Sequence, residues 1–310
     1  MHKAGFVNIV GNPNVGKSTL MNQLVGEKLS IATFKAQTTR HRIMGIVNTE
    51  DTQIVFSDTP GVLKPNYKMQ EMMLQFSESA LADADILLYV TDVVEDPEKN
   101  MDFLEKVSKM SIPVILLINK IDESDQKTLG NLVTKWHGLL PNAEILPISA
   151  KNKFGVDILL KRVHELLPES PAFFDKDQLT DKPAKFFVSE IIREKILRYY
   201  DKEIPYSVEV VIERFKEDDR QIHISAIIYV ERSSQKGIII GHQGMALKKV
   251  STEARKSLER FFDKKIFLET FVKVDTHGRN KRKIRKLLSR GTEKGPPPPP
   301  PRGGGESLTG

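Results

Sequence analysis

The sequence predicts an α/β protein in which a doubly wound sheet is followed by a smaller α+β unit. Three observations carry the prediction. Over residues 1–168, apolar runs ending at Val10, Val47, Phe56, Val90, Ile118 and Ile148 alternate with stretches of helical spacing, the pattern of a sheet covered by helices on both faces. The first run opens into Gly11-Asn12-Pro13-Asn14-Val15-Gly16-Lys17-Ser18, and Thr19 begins a helical pattern directly after it. Beyond Pro183 both the periodicity and the charge change: residues 1–181 carry 19 Lys and Arg against 24 Asp and Glu, whereas residues 182–294 carry 27 against 16. An acidic part joined to a basic part implies two different jobs, and the basic one favours a polyanion, nucleic acid before an anionic membrane surface.

Residues 11–18 fit G-x-x-x-x-G-K-[ST] between a strand and a helix, the P-loop context that cradling phosphates requires. Backbone N–H groups of such a loop converge on the β-phosphate, Lys17 adds a point charge toward the β- and γ-phosphates, and the Ser18 hydroxyl suits Mg²⁺. The next polar segment, Gln37-Thr38-Thr39-Arg40-His41, is placed to carry a switch threonine for the metal; Thr39 is the first choice and Thr38 the second. Ile54-Val55-Phe56 then leads into Asp58-Thr59-Pro60-Gly61-Val62. Asp58 is expected to hold Mg²⁺ through water, and the Gly61 N–H to sense the γ-phosphate. Ser18, Thr39 and Asp58 are thus the expected metal set, and Lys17, Thr39, Asp58 and Gly61 the catalytic one.

The base is read further on. The apolar run 114–118 ends in Asn119-Lys120-Ile121-Asp122. A carboxylate at Asp122 accepts two hydrogen bonds from the N1–H and N2–H₂ edge of guanine, and would be left unpaired against adenine. This disfavours an ATP-using kinase. The run 145–148 ends in Ser149-Ala150-Lys151, a tight turn whose amides can face the guanine carbonyl. After Gly155, the residues Val156, Leu159, Leu160, Val163, Leu166 and Leu167 share one helical face.

Residues 169–183, bracketed by Pro168, Pro171 and Pro183, read as a linker, because proline resists helix continuation and lacks a donor. An ordered packing against either module is also open. Residues 184–290 form the second module. Helical spacing over 186–200 is followed by a strand from Tyr206 to Phe215, a charged turn, and a strand from Ile222 to Val230. An Ile-rich stretch then leads into Gly241-His242-Gln243-Gly244, helical residues continue to Phe262, and a strand runs from Lys265 to Val274. This order resembles a type II KH domain with its Gly-x-x-Gly loop. Two glycines let a backbone approach a sugar–phosphate chain, the following helix start offers donors to phosphate, and such loops clamp about four nucleotides of single strand. Gly241, His242, Gln243 and Gly244, with Lys248 and Lys249 one turn on, are the expected RNA contacts. Lys281, Arg282 and Lys283 open a dense basic run that adds phosphate contacts; its Ile284, Leu287 and Leu288 leave a membrane surface as the alternative.

At this point the chain resembles the translation-factor-like class of small GTPases, whose five motifs appear in order, and within it the Era family. The P-loop, Gln-Thr-Thr-Arg-His and Asp-Thr-Pro-Gly texts and the KH-like half carry that resemblance over about residues 3–290. In Ras-type enzymes a Gln follows the Asp-x-x-Gly glycine and orients the attacking water. Here Val62 stands there, so the water must be placed otherwise and intrinsic hydrolysis is expected on the order of 10⁻⁴ to 10⁻² s⁻¹. The resemblance implies an Era-like hydrophobic residue at this place, and Asn14 offers a K⁺ site that would substitute for an arginine finger. It also implies a ribosome-assembly factor that binds single-stranded ribosomal RNA at the 3′ end of the small-subunit RNA, with peripheral membrane contact; a monomer is expected. A GTP-regulated membrane-surface adaptor is the competing class.

Composition bounds the rest. The 310 residues suit two modules, and the formal net charge is +6. There is no cysteine, which excludes disulfides and thiolate zinc sites and fits a reducing cytoplasm. Neither an apolar leader region nor a bilayer-length apolar run is expected. His41, His137, His164, His223, His242 and His277 lack zinc-ligand spacing, and Trp136 reads as packing. Residues 291–310, with six consecutive prolines and a glycine run, read as a disordered tail.

Overall fold

The computed structural model describes residues 1–275 except Phe34, Ala36, Gln37, Leu63, Lys64, Asn66 and Tyr67. The first lobe is a six-stranded sheet made from β1 (Lys3–Gly11), β2 (Ile43–Asn48), β3 (Thr52–Asp58), β4 (Ile86–Asp92), β5 (Val114–Asn119) and β6 (Glu144–Pro147), in the spatial order β2-β3-β1-β4-β5-β6. Helices α1 (Lys17–Val25), α2 (Lys68–Ala82), α3 (Met101–Ser108), α4 (Gln126–Leu139) and α5 (Val156–Leu166) connect and cover it. β1, β3, β4 and β5 read as near-continuous apolar runs because helices cover both faces. One core gathers Val7, Ile9, Phe56 and Leu117 under α1 and α5, and another packs Trp136 of α4 against Tyr89 of β4, together with Phe103 and Leu104 of α3.

Register decides where the chemistry falls. Parallel pairing puts Ile9 beside Asp58, Gly11 beside Val90, and Asp92 beside Asn119, so the motif residues emerge at one end of the sheet. The chain leaves β1 for one side of the sheet and later crosses to the other, which makes the end of β1 the switch point where ligands bind in open α/β sheets. The edge strand β2 departs from the parallel arrangement. It runs antiparallel to β3, with Ile43 opposite Asp58, and therefore delivers the segment just before it to the Asp58 carboxylate.

The second lobe holds α6 (Ala184–Tyr199), α7 (Ile204–Ser207), β7 (Glu209–Glu217), β8 (Gln221–Val230), α8 (Ser233–Ile240), α9 (Met245–Phe262) and β9 (Lys265–Val274). Its sheet order is β7-β8-β9, with β7 antiparallel and β9 parallel to β8. One sequence expectation is corrected. The strand expected from Tyr206 begins instead at Glu209, because a short helix with Pro205 in its first turn occupies residues 204–207. Helix α8 carries the Ile-rich stretch before the glycine loop and buries Ile239 in the core.

The polar stretch 169–183 packs in an ordered way on the β2 edge. Thr180 Oγ1 donates to the Met44 carbonyl at 2.7 Å, the Ile46 N–H donates to the Leu179 carbonyl at 2.8 Å, and Gln53 accepts from the N–H groups of Phe173 and Phe174. Both lobes belong to one packed unit, Met1–Val274. Helix α6 explains how: its residues 187, 188 and 190–197 are buried nearly all round, as expected of a helix wedged between two bodies. Among the described residues no helix is long and apolar enough to cross a membrane.

Candidate nucleotide site and the seam behind it

The turn from β1 to α1 requires glycine at its last position. Gly16 sits at φ 97°, and a Cβ there would lie 2.2 Å from Asn119 Nδ2. That contact has a purpose: Asn119 Nδ2 donates to the Val15 carbonyl at 2.8 Å, and Asn119 Oδ1 accepts from the Ala150 N–H at 2.9 Å. One buried amide thus ties the phosphate loop to the Ser149-Ala150-Lys151 turn. Asp122 is held on the same side, accepting from Ser149 Oγ at 2.6 Å. That bond holds the Asp122 carboxyl below its ordinary range and keeps it ionised. Lys120, at φ 62°, reaches back to Asp92 at 2.5 Å, and Ile121 opens the short turn that carries Asp122.

A cavity of about 680 Å³ opens beside this loop, within the size range of small-molecule sites. Pro13, Asn14, Gly16, Lys17, Ser18 and Thr19 form its floor, Thr38, Thr39, Thr59 and Gly61 one wall, and Ile31, Ala32, Thr33 and Lys120 the rim. Lys17 is buried and donates to the carbonyls of Gly11 at 3.0 Å and Asn12 at 2.7 Å. Burial pushes its pKa down to about 8, opposed by Asp58. Burial pushes Asp58 up, opposed by Lys17 and by hydrogen bonds from hydroxyls. A phosphate chain facing Lys17 and a cation facing Asp58 would reverse both shifts.

Both candidate threonines line the cavity, but only the Thr39 hydroxyl meets Ser18 and Asp58. Ser18 Oγ lies 2.8 Å from Thr39 Oγ1 and donates to Asp58 Oδ2 at 2.7 Å, while the Thr38 hydroxyl is turned to the Lys35 carbonyl. Asp58 Oδ1 is buried without a hydrogen-bond partner. Two hydroxyls and an orphaned carboxylate oxygen form an all-oxygen donor set that fits a hard divalent cation. Val62 is buried and its N–H donates to the Gly11 carbonyl at 3.0 Å. Pro60 accepts from Ser77 Oγ at 2.9 Å, and Thr59 Oγ1 donates to the Ile9 carbonyl at 2.8 Å, so residues 58–62 are fixed from behind.

Three side chains tie the site to its surroundings, and two of them, Asn100 and Arg193, carry no sequence signal. Asn100, at the start of α3, donates to Asn12 Oδ1 and, at 3.2 Å, to the Val62 carbonyl, bridging the phosphate loop and the segment after Gly61. Arg193 of α6 donates to the Thr38 carbonyl and to both carboxylate oxygens of Glu190. Arg40, nearly fully buried, donates to the carbonyls of Pro205 (3.2 Å), Tyr206 (3.1 Å) and Val208 (3.0 Å). His41 packs edge-on against Phe186 of α6 and Phe76 of α2, and burial pushes its pKa down to about 4. The segment carrying Thr39 therefore faces the nucleotide cavity on one side and is bonded to the second lobe on the other.

In the second lobe, Gly241 (φ 72°) and Gly244 (φ 77°) bracket a single turn, and a Cβ on Gly241 would lie 2.6 Å from the Ala246 Cβ. His242, Gln243, Lys248 and Lys249 are exposed around that turn, and Lys249 Nζ lies 4.5 Å from the centroid of the Tyr199 ring. Ile238 and Met245 flank it with about half of their surface exposed. Lys281, Arg282, Lys283, His277 and residues 291–310 lie outside the described residues.

A family model described as a 50S ribosome-binding GTPase matches residues 6–120, and a KH domain model matches residues 203–279. GTPase Era from Clostridium kluyveri is 43% identical over 290 residues, covering 93% of this chain and 99% of its own. The chain belongs to the Era family of GTPases. GTPase Era from a Geobacter species is 47% identical over 274 residues, covering 88% of this chain and 92% of that one. Two solved Era structures superpose closely. One, Era in complex with MgGDPNP and nucleotides 1506–1542 of 16S ribosomal RNA, has a TM-score of 0.87 at 36% identity and covers 93% of this chain and 99% of that one. The other, an Aquifex aeolicus Era variant bound to GDP.AlF4-, has a TM-score of 0.86 at 36% identity, with coverages of 92% and 98%. As an Era-family GTPase the chain binds guanine nucleotide and hydrolyses GTP.

Substituting Asn for Asp122 tests its expected pairing with the guanine edge. GTP affinity is expected to fall by about 10²-fold or more and xanthine nucleotide to bind better than guanine. Competition of GTP and XTP against a fluorescent nucleotide checks this.

Proposed function

We propose that this GTPase binds the 3′ end of small-subunit ribosomal RNA through its KH-like half and acts in assembly of that subunit, with GTP turnover setting the grip on RNA. The observation that carries the coupling is the double attachment of residues 38–40. Thr39 meets Ser18 and Asp58, while the Thr38 carbonyl accepts from Arg193 and Arg40 donates to the carbonyls of Pro205, Tyr206 and Val208. A rearrangement of residues 33–42 or 62–73 after hydrolysis then changes the contact with the second lobe. Support for the RNA target comes from the solved relative crystallised with a 16S ribosomal RNA segment.

Within this reading Gly11, Asn12, Pro13, Asn14, Val15, Gly16, Lys17, Ser18 and Thr19 hold phosphates, and Asp58, Thr59, Pro60, Gly61 and Val62 follow the γ-phosphate. Asn119, Lys120, Ile121, Asp122, Ser149, Ala150 and Lys151 hold the base. Ser18, Thr39 and Asp58 would hold Mg²⁺, which when bound neutralises the charge developing on the β- and γ-phosphate oxygens. Asn14, at φ 67° on the cavity floor, is the residue for a K⁺ ion. Gly241, His242, Gln243, Gly244, Lys248, Lys249, Lys281, Arg282 and Lys283 contact RNA. Residues 1–168 form the GTPase domain, 169–183 the linker, 184–290 the RNA-binding domain and 291–310 the tail.

The test is retention of an oligoribonucleotide copying the 3′ end of small-subunit ribosomal RNA at physiological salt, against a scrambled control and against liposomes. Selective retention of the 3′-end oligonucleotide supports the proposal. Equal retention of both RNAs, or flotation with liposomes alone, contradicts it and favours the membrane-surface adaptor.

A further inference from the structure

We propose that Arg198, on helix α6 of the second lobe, is a nucleotide-binding residue whose guanidinium contacts the phosphates of the guanine nucleotide held by the first lobe. The inference rests on the reading of the cavity as the GTP site. Arg198 lines that cavity together with the phosphate loop, although it lies about 180 residues further along the chain. It is anchored by Glu194, a fully buried carboxylate that accepts from Arg198 Nη2 at 2.7 Å and from Lys28 Nζ at 2.9 and 3.0 Å.

Lys28 fixes this anchor to the first lobe. Two residues later, Ser30 is clamped by Asn22, whose side chain accepts from the Ser30 N–H at 2.9 Å and donates to the Ser30 carbonyl at 2.7 Å. The chain then forms the cavity rim at Ile31, Ala32 and Thr33. Arg198 is thus registered to the rim by a chain of bonds through Glu194 and Lys28. An ordinary surface pair at i, i+4 would have two exposed partners; here the acid is wholly buried and shared with Lys28 and Lys195, while the arginine side chain remains half exposed beside the cavity. One of the five guanidinium N–H donors is engaged with Glu194, leaving a fork suited to phosphate oxygens. The nucleotide would then bridge the lobes directly, and its differential contacts would bias how they sit.

The experiment measures affinity of the full chain for GDP, a non-hydrolysable GTP analogue and guanosine by competition against a fluorescent GDP. Arg198→Ala is expected to weaken both nucleotides by about 5- to 20-fold and to leave guanosine unchanged, since a nucleoside offers no phosphate. Arg198→Lys, which keeps the charge without the fork, is expected to recover part of the loss. A thermal melt of each variant verifies the fold. Wild-type affinity for both nucleotides in Arg198→Ala overturns the proposal, and so does an equal loss for guanosine, which would mark a displaced helix. Absence of guanine-nucleotide binding by the unmodified chain would instead overturn the reading of the cavity.

Discussion

Replacing Lys17 with alanine is expected to lower GTP turnover at saturating nucleotide by about 10²- to 10³-fold, the usual cost of removing one preorganised donor from developing charge. Lys17 is the buried cation of the cavity floor, and its Nζ now rests on the carbonyls of Gly11 and Asn12. Both carbonyls belong to the phosphate loop, so an incoming phosphate competes for an ammonium already inside the cavity. Stability changes much less. The Gly11 carbonyl keeps the Val62 N–H as a donor and the Asn12 carbonyl loses its Lys17 donor, so the substitution costs about 1–3 kcal/mol. Single-turnover phosphate release separates the lost chemistry from lost binding, and a thermal melt reads the stability. Turnover within tenfold of the unmodified chain would remove Lys17 from the catalytic set.

Arg40→Ala has the larger structural consequence. It strips one donor each from three carbonyls, of Pro205, Tyr206 and Val208, in a buried seam. A buried acceptor left unmade costs about 1–3 kcal/mol, so the seam loses on the order of 3 kcal/mol if water cannot enter fully. Arg40→Lys keeps the charge, but a single ammonium cannot reproduce the geometry of a planar fork spanning three acceptors. The expected result is a chain that still binds GTP through residues 11–19 but transmits the nucleotide state poorly. Hydrogen exchange should rise at residues 38–42 and at residues 204–208, with the β1 and β5 amides unchanged. Unaltered exchange at both segments would mean that Arg40 carries no strain between the lobes.

Much of the first lobe was legible because its chemistry is local. Gly16, Lys17 and Ser18 are fixed by a strand-loop-helix turn that sequence spacing specifies. Asp122 and Ser149 follow the ends of their own strands, and parallel register brings those ends together. The glycine loop was legible for the same reason, and the α9 and β9 patterns matched their periods.

What stayed hidden depends on tertiary placement. Thr39 was preferred over Thr38 by position alone; the reason, the antiparallel pairing of Ile43 with Asp58 that brings the segment before β2 to the carboxylate, is not written in two adjacent threonines. Helix α7 was hidden because Val208, Val210 and Ile212 alternate in the two-residue period, which carries the expected strand back to Tyr206, inside the helix Ile204–Ser207. The α8 isoleucines carry no element assignment in the sequence, because a short buried helix and a short buried strand share an apolar signature. Asn100, Arg193 and Arg198 carry no motif at all; each matters through what it touches in another element.

The central claim is that the nucleotide cavity and the RNA-binding half form one coupled device. The most direct measurement is the affinity of the intact chain for a 3′-end small-subunit ribosomal RNA oligonucleotide with GDP and with a non-hydrolysable GTP analogue, repeated with Arg40→Ala. The account predicts at least a fivefold difference between the two nucleotides, about 1 kcal/mol of coupling, shrinking to less than twofold in the variant. Equal RNA affinity with both nucleotides in the unmodified chain would contradict it.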